Sequence, residues 1–150
     1  MPQGITSLWR SRNFTIETFV NICYNIGESE MHIMPESKLR SQSMDFAVQI
    51  INLVKSLKEK RESIISNQIG RSGTSIGANI REAQYAHGKA DFIAKLQIAL
   101  KEANETGYWL ELLYKTNYIS ESDYKTLDSA CTSIRVMLIS SVNTAKENYQ

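Results

Sequence analysis

The stretch Arg71-Ser72-Gly73-Thr74-Ser75-Ile76-Gly77-Ala78-Asn79-Ile80-Arg81-Glu82-Ala83 decides between two different molecules. Read as a loop, Gly70-Arg71-Ser72-Gly73-Thr74-Ser75 superficially resembles a phosphate cradle. Such a cradle follows a strand and ends in Gly-Lys-Ser/Thr, because backbone N–H groups and the lysine must converge on phosphate oxygens. That ending is missing here, and the flanking pattern is helical. Ile65, Ile69, Ser72, Ile76, Asn79, Ala83 and Ala86 recur at alternating intervals of four and three, which puts them on one helix face. The stretch is therefore the body of a helix over about Glu62–Ala86, with a seam that is small and polar in its middle. Gly70, Gly73 and Gly77 would each cost about 1 kcal/mol relative to alanine in an exposed helix. Close helix packing, or a ligand approaching the backbone, must offset that cost, and close packing is the simpler cause.

Working outward, the only prolines are Pro2 and Pro35, so everything from Glu36 onward is free to be helical. Phe46, Ile50, Leu53 and Leu57, beside Ala47, Ile51 and Val54, predict a first helix over about Ser43–Lys60 with a wide apolar face. Phe92, Leu96, Ala99, Ala103, Thr106, Leu110 and Leu113 predict a third over about Lys89–Thr116. A second stripe on it, Ile93, Leu100, Gly107 and Tyr114, is broadened by Trp109 and Leu112. That is more apolar surface than one neighbouring helix covers, which points to self-association or to docking of the N-terminal segment. A fourth helix starts at Ser120, with Asp123 placed for a capping box and Ile119 and Tyr124 for a hydrophobic staple. Its seam is Tyr124, Leu127, Cys131, Ile134, Leu138, Ser141 and Ala145. Short connections imply antiparallel neighbours. The predicted fold is all-α, an antiparallel up-down-up-down four-helix bundle over residues 38–150, preceded by a partly ordered extension over residues 1–37. Within the extension Phe14, Phe19, Val20, Cys23 and Ile26 have the spacing of a short amphipathic helix.

A chain of 150 residues fits one domain with a core of its own. Its net charge of +1 is unevenly spread: residues 1–37 hold two basic and four acidic residues, residues 38–81 eight and three, and the remainder seven and nine. A polyanion meets the 38–81 segment first, since attraction follows local potential. The alternative is a basic helical pair lying beside an acidic one. Cys23 and Cys131 belong to no Cys/His cluster, which argues against zinc and fits a reducing compartment. No run approaches the roughly 18 apolar residues of a membrane span. A cytoplasmic location is expected, with no membrane partner.

Catalytic and metal residues are expected to be none, and cofactors none. Neither His32 nor His87 has a Glu three positions before it, as a di-iron bundle site requires. The hydroxyls of 71–83 lack a placed His and acid for a nucleophilic triad. Two readings remain for the polar face of the second helix. Arg71, Ser75 and Glu82 stack at helical spacing and can form a network. Alternatively Arg71 and Arg81, with Lys55 and Lys58, contact RNA or DNA phosphates. Asn79 on the seam is expected to hydrogen-bond across helices. Tyr85, Tyr108, Trp109, Tyr114 and Tyr118 have the faces to stack on unpaired bases, but at helical spacing they are more often core or interface residues.

Residues 71–83, followed by Ala90-Asp91-Phe92-Ile93-Ala94-Lys95-Leu96, Ile98–Ala103, Glu105-Thr106 and Tyr108–Glu111, resemble the bacterial four-helix bundle proteins encoded in 23S ribosomal RNA intervening sequences. The resemblance spans roughly residues 43–147. It extends more distantly to the accessory variability determinant of diversity-generating retroelements, a bundle that partners a reverse transcriptase. It implies a homopentamer, no known catalysis, an association with nucleic acid and an unassigned biological role. The family's signature positions fall on Arg71, Ser75, Ile76, Asn79, Glu82, Phe92 and Leu96, and are read as structural first. The functional expectation is a non-catalytic oligomeric accessory protein associated with RNA or DNA. The alternative is a structural protein–protein interaction module without nucleic-acid binding.

Overall fold

A computed structural model of the chain describes residues 37–147. The expected extension over residues 1–37, Cys23 included, lies outside the described residues except for Ser37. Four helices and no strands make up what is described: α1 Lys38–Glu59, α2 Ile64–Ala83, α3 Lys89–Lys115 and α4 Glu121–Glu147. Each helix packs on the next in sequence, and α1 also packs on α4. No described helix is long and apolar enough to cross a membrane.

α1 begins about one turn earlier than its apolar period suggests. Ser37 caps it, its hydroxyl accepting the N–H of Arg40 at 3.2 Å, and Leu39 and Ser43 continue the buried face back from Phe46. α1 and α3 both end in the same device without a glycine. Arg61 (φ 60°) and Asn117 (φ 61°) take the left-handed conformation. The N–H groups of Arg61 and Glu62 then return to the carbonyls of Lys58 and Leu57, and those of Asn117 and Tyr118 to Tyr114 and Leu113. Two of the carbonyls each helix end would leave unpaired are thereby satisfied.

α2 starts at Ile64, two residues later than expected. Glu62 is not in the helix but caps it: its buried carboxylate accepts the N–H groups of Ile64, Ile65 and Ser66 at 2.7–2.9 Å. Three otherwise unpaired donors and the positive end of the helix dipole are met by one side chain. α4 opens as its sequence predicts, with Asp123 N–H donating to Ser120 Oγ at 3.0 Å and Ser120 Oγ donating to Asp123 Oδ2 at 2.7 Å.

A single core draws on all four helices, with Ile50, Ile69, Ile76, Leu96, Leu110, Ile134 and Leu138 fully enclosed. Each such side chain contributes about 1.5–3 kcal/mol. Every predicted seam residue of α3 is buried. On α2 the buried face is rotated from the predicted seam: Ser66, Gly73 and Ile80 are enclosed, while Ile65, Asn79 and Ala86 are half-buried. Ile51 of α1, expected on the core face, is exposed. The glycines explain the rotation. A Cβ at Gly73 would lie 2.9 Å from two side-chain carbons of Ile50, one at Gly70 3.3 Å from Val54, and one at Gly77 3.4 Å from Ser43 Oγ. Missing side chains let α1 settle onto that line, and both helices turn toward it.

Candidate nucleic-acid interface

The basic residues singled out from sequence sit on α1 and α2, and their surroundings differ. Arg71 is turned toward α3. Its guanidinium donates to Glu102 at 3.5 Å and more closely to Glu105, which also accepts Trp109 Nε1 at 3.3 Å. The hydrogen bond to Glu105, then its charge and that of Glu102, hold Arg71 above its ordinary pKa. The same bond from Arg71 holds the Glu105 carboxyl below the usual range, against the opposing effect of partial burial. Arg71 is thus ion-paired within the fold, with about half of its side chain still open to solvent. The anticipated Arg71–Ser75–Glu82 network does not form. Glu82 instead accepts Lys95 Nζ at 2.5 Å, so both charged ends reach across to α3 because that helix carries partners at matching height.

Lys55, Lys58 and Arg81 are exposed and have no ion pair among the described residues. Lys60 is tied, its Nζ donating to the Tyr118 carbonyl at 2.7 Å. Val54 meets Gly70, Ile50 meets Gly73 and Ser43 meets Gly77, so Lys58 lies one turn beyond the first contact and Arg81 one turn beyond the last. At 1.5 Å per residue the two are about 22–28 Å apart along the axes, counted on α2 and on α1. The three unpaired cations therefore flank the α1–α2 surface instead of converging at one point.

The remaining signature residues are structural in position. Phe92 and Leu96 are buried. Asn79 does not bond across helices: its Nδ2 donates to the carbonyl of Ser75, one turn back, at 2.9 Å. The cross-helix polar contact belongs to Ser72, whose hydroxyl lies 2.9 Å from that of Thr106, both fully buried. Sequence reading placed Ser72 and Thr106 on their seams but did not join them. Equal heptad positions on adjacent helices were the available signal.

On α3, Tyr108 stands edge-on to Trp109 with ring centroids 4.8 Å apart, and Tyr108 is exposed. Ile64, at the start of α2, is 76% exposed. Tyr114 instead stacks on Tyr124 between α3 and α4 at 4.8 Å and is no free platform for a base. Among the described residues no group of His, Cys, Asp or Glu is arranged to hold a metal ion.

A family model described as 23S rRNA-intervening sequence protein matches residues 36–140. The chain belongs to that family. A solved structure from Bacteroides thetaiotaomicron, a protein of unknown function from the S23 ribosomal protein family, is 55% identical to it. The alignment covers 69% of this chain and 97% of that one, with a TM-score of 0.69. Among curated proteins nothing matches. All the basic and signature residues above lie within the family match, as do the Gly73 contact and the Ser72–Thr106 pair. Residues 1–35 precede it.

Proposed function

We propose that this member of the 23S rRNA-intervening sequence protein family is a non-catalytic, cytoplasmic accessory protein. In this reading its helices form an antiparallel up-down-up-down bundle that assembles as a homopentamer and holds RNA or DNA through non-specific phosphate contacts. The observation that carries the reading is the contrast among its cations. Arg71 is spent on Glu102 and Glu105, whereas Lys55, Lys58 and Arg81 keep their charge for solvent along one helix pair. A spacing of about 22–28 Å matches roughly seven or eight phosphates of one strand, so a single backbone can engage both ends. The reversed order of the α1–α2 contacts supports the antiparallel placement. The Tyr108–Trp109 pair with exposed Ile64 supports self-association, since aromatic clusters of this kind anchor interfaces.

Binding to a duplex DNA and to an RNA hairpin, measured at two salt concentrations, tests the proposal. Lys55→Glu, Lys58→Glu and Arg81→Glu together are expected to abolish binding and flatten its salt dependence, while Arg71→Glu reduces it far less. Binding that is absent, or insensitive to salt, overturns it.

The second reading is an interaction module that binds no nucleic acid, favoured by the same aromatic pair. It predicts that Trp109→Lys lowers the mass seen by light scattering with no nucleic-acid affinity in either protein. A wild-type chain that is monomeric at micromolar concentration counts against it.

A further inference from the structure

One surface of the family domain is left unexplained by the core and by the paired charges. Along the outer side of α1, Arg40, Met44, Val48, Ile51, Lys55 and Lys58 follow at intervals of four or three, forming a continuous stripe. Its middle is apolar and open, with Met44 41%, Val48 52% and Ile51 41% exposed. The stripe borders the line on which α1 packs against α2, where Val54 meets Gly70 and Ser43 meets Gly77. At one end of this stripe two donors are buried without partners, Arg40 Nε and Gln84 Nε2. A buried donor without a partner costs stability. The stripe therefore has an apolar middle, a basic far end, and a near end that lacks acceptors.

The residues before Ser37 carry the complementary set. Ile16, Phe19, Cys23 and Ile26 recur at 3-4-3 spacing, which puts them on one face of a helix. From Asn13 to Glu36 there is no lysine or arginine, but there are Glu17, Glu28, Glu30 and Glu36. As a helix, Ile16–Ile26 is about 16 Å long, the length of α1 from Met44 to Lys55. The ten residues between Ile26 and Ser37 reach up to about 33 Å extended, and Gly27 and Pro35 suit a reversal.

We propose that residues 16–26 of the same chain lie antiparallel to α1 on this stripe. Ile26 is then beside Met44, Cys23 beside Val48 and Phe19 beside Ile51, with Glu17 within a turn of Lys55. The glutamates at 28, 30 and 36 bring acceptors to Arg40 and Gln84. The proposal rests on the antiparallel placement of α1 and α2, and by setting Glu17 near Lys55 it makes the segment a competitor of phosphate for that lysine.

The test uses the full chain and its native Cys23. Val48→Cys is oxidised mildly at low micromolar concentration without nucleic acid, beside Lys101→Cys on exposed α3 as a control. Peptide mass spectrometry is expected to find an intrachain link from Cys23 to position 48, at least tenfold faster than to position 101. Equal rates, or links only between chains, overturn the proposal, the latter by making a second copy the occupant. In a second measurement, Ile51→Glu should speed glutamyl endopeptidase cleavage after Glu17 at least tenfold while far-ultraviolet circular dichroism stays unchanged. Cleavage at the wild-type rate in that variant also overturns it. Neither readout depends on nucleic acid, so failure here and failure of the phosphate contacts are distinguishable.

Discussion

At the scale of single residues, the two informative glycines have opposite margins. A methyl at Gly73 would press on Ile50, which is fully enclosed and has nowhere to go, whereas one at Gly77 would make ordinary contact with Ser43. Gly73→Ala is therefore expected to lose about 1–3 kcal/mol through overpacking. Gly77→Ala should gain about 0.5–1 kcal/mol from helix propensity. Urea denaturation of both variants checks the sign of each. The Ser72–Thr106 pair yields a second prediction. Thr106 Oγ1 also lies 2.8 Å from the Glu102 carbonyl, so its one proton serves either acceptor. Ser72→Ala alone should cost about 1–2 kcal/mol, and Ser72→Ala with Thr106→Val should cost less than the sum of the single variants. Additive losses in a double-mutant cycle would show that the two hydroxyls do not interact.

At the scale of elements, most helices were legible because their apolar residues keep a helical period. α3 was read to within a residue at its ends, and its whole seam is buried. The largest boundary miss is the start of α1, which an ordinary serine cap, Ser37, places five residues before Ser43, and α2 starts late because its cap is of unusual type. Glu62 lies just outside α2 and holds three amides, a role that composition alone cannot distinguish from membership of the helix. The end of α1 was read to within a residue, although Arg61 and not a glycine makes the stop. The buried face of α2 was misjudged by a fraction of a turn because sequence shows which residues are small but not which neighbour will use the space. The same limit hid the partners of Arg71 and Glu82, which sit 31 and 13 residues away on α3. Arg61→Gly follows as a prediction at this scale. Removing the Cβ from a left-handed position should stabilise the chain by about 1 kcal/mol, seen as a higher thermal midpoint.

At the scale of the whole molecule, the thiol of Cys131 reports on integrity. It is buried between α3 and α4, where Sγ donates to the Ala103 carbonyl at 3.3 Å, and burial pushes its pKa from 9.0 to about 11. Because the folded value is raised, this group favours folding fully below pH 9 and loses that contribution as pH rises toward 11, an effect of up to about 3 kcal/mol. Iodoacetamide at pH 8 should accordingly leave Cys131 unmodified until the denaturation midpoint. Modification well below that midpoint would reveal local opening between α3 and α4.

The meeting of Gly73 with Ile50 has a consequence for descent as well as for stability. Two positions 23 residues apart share one volume, so neither can grow while the other stays as it is. Among relatives of this chain, an alanine or serine at the site of Gly73 should be accompanied by valine or alanine at the site of Ile50. The pair is then expected to behave as one inherited character, the isoleucine shrinking where the glycine is filled, and an alignment of relatives in which the two sites vary independently would contradict it.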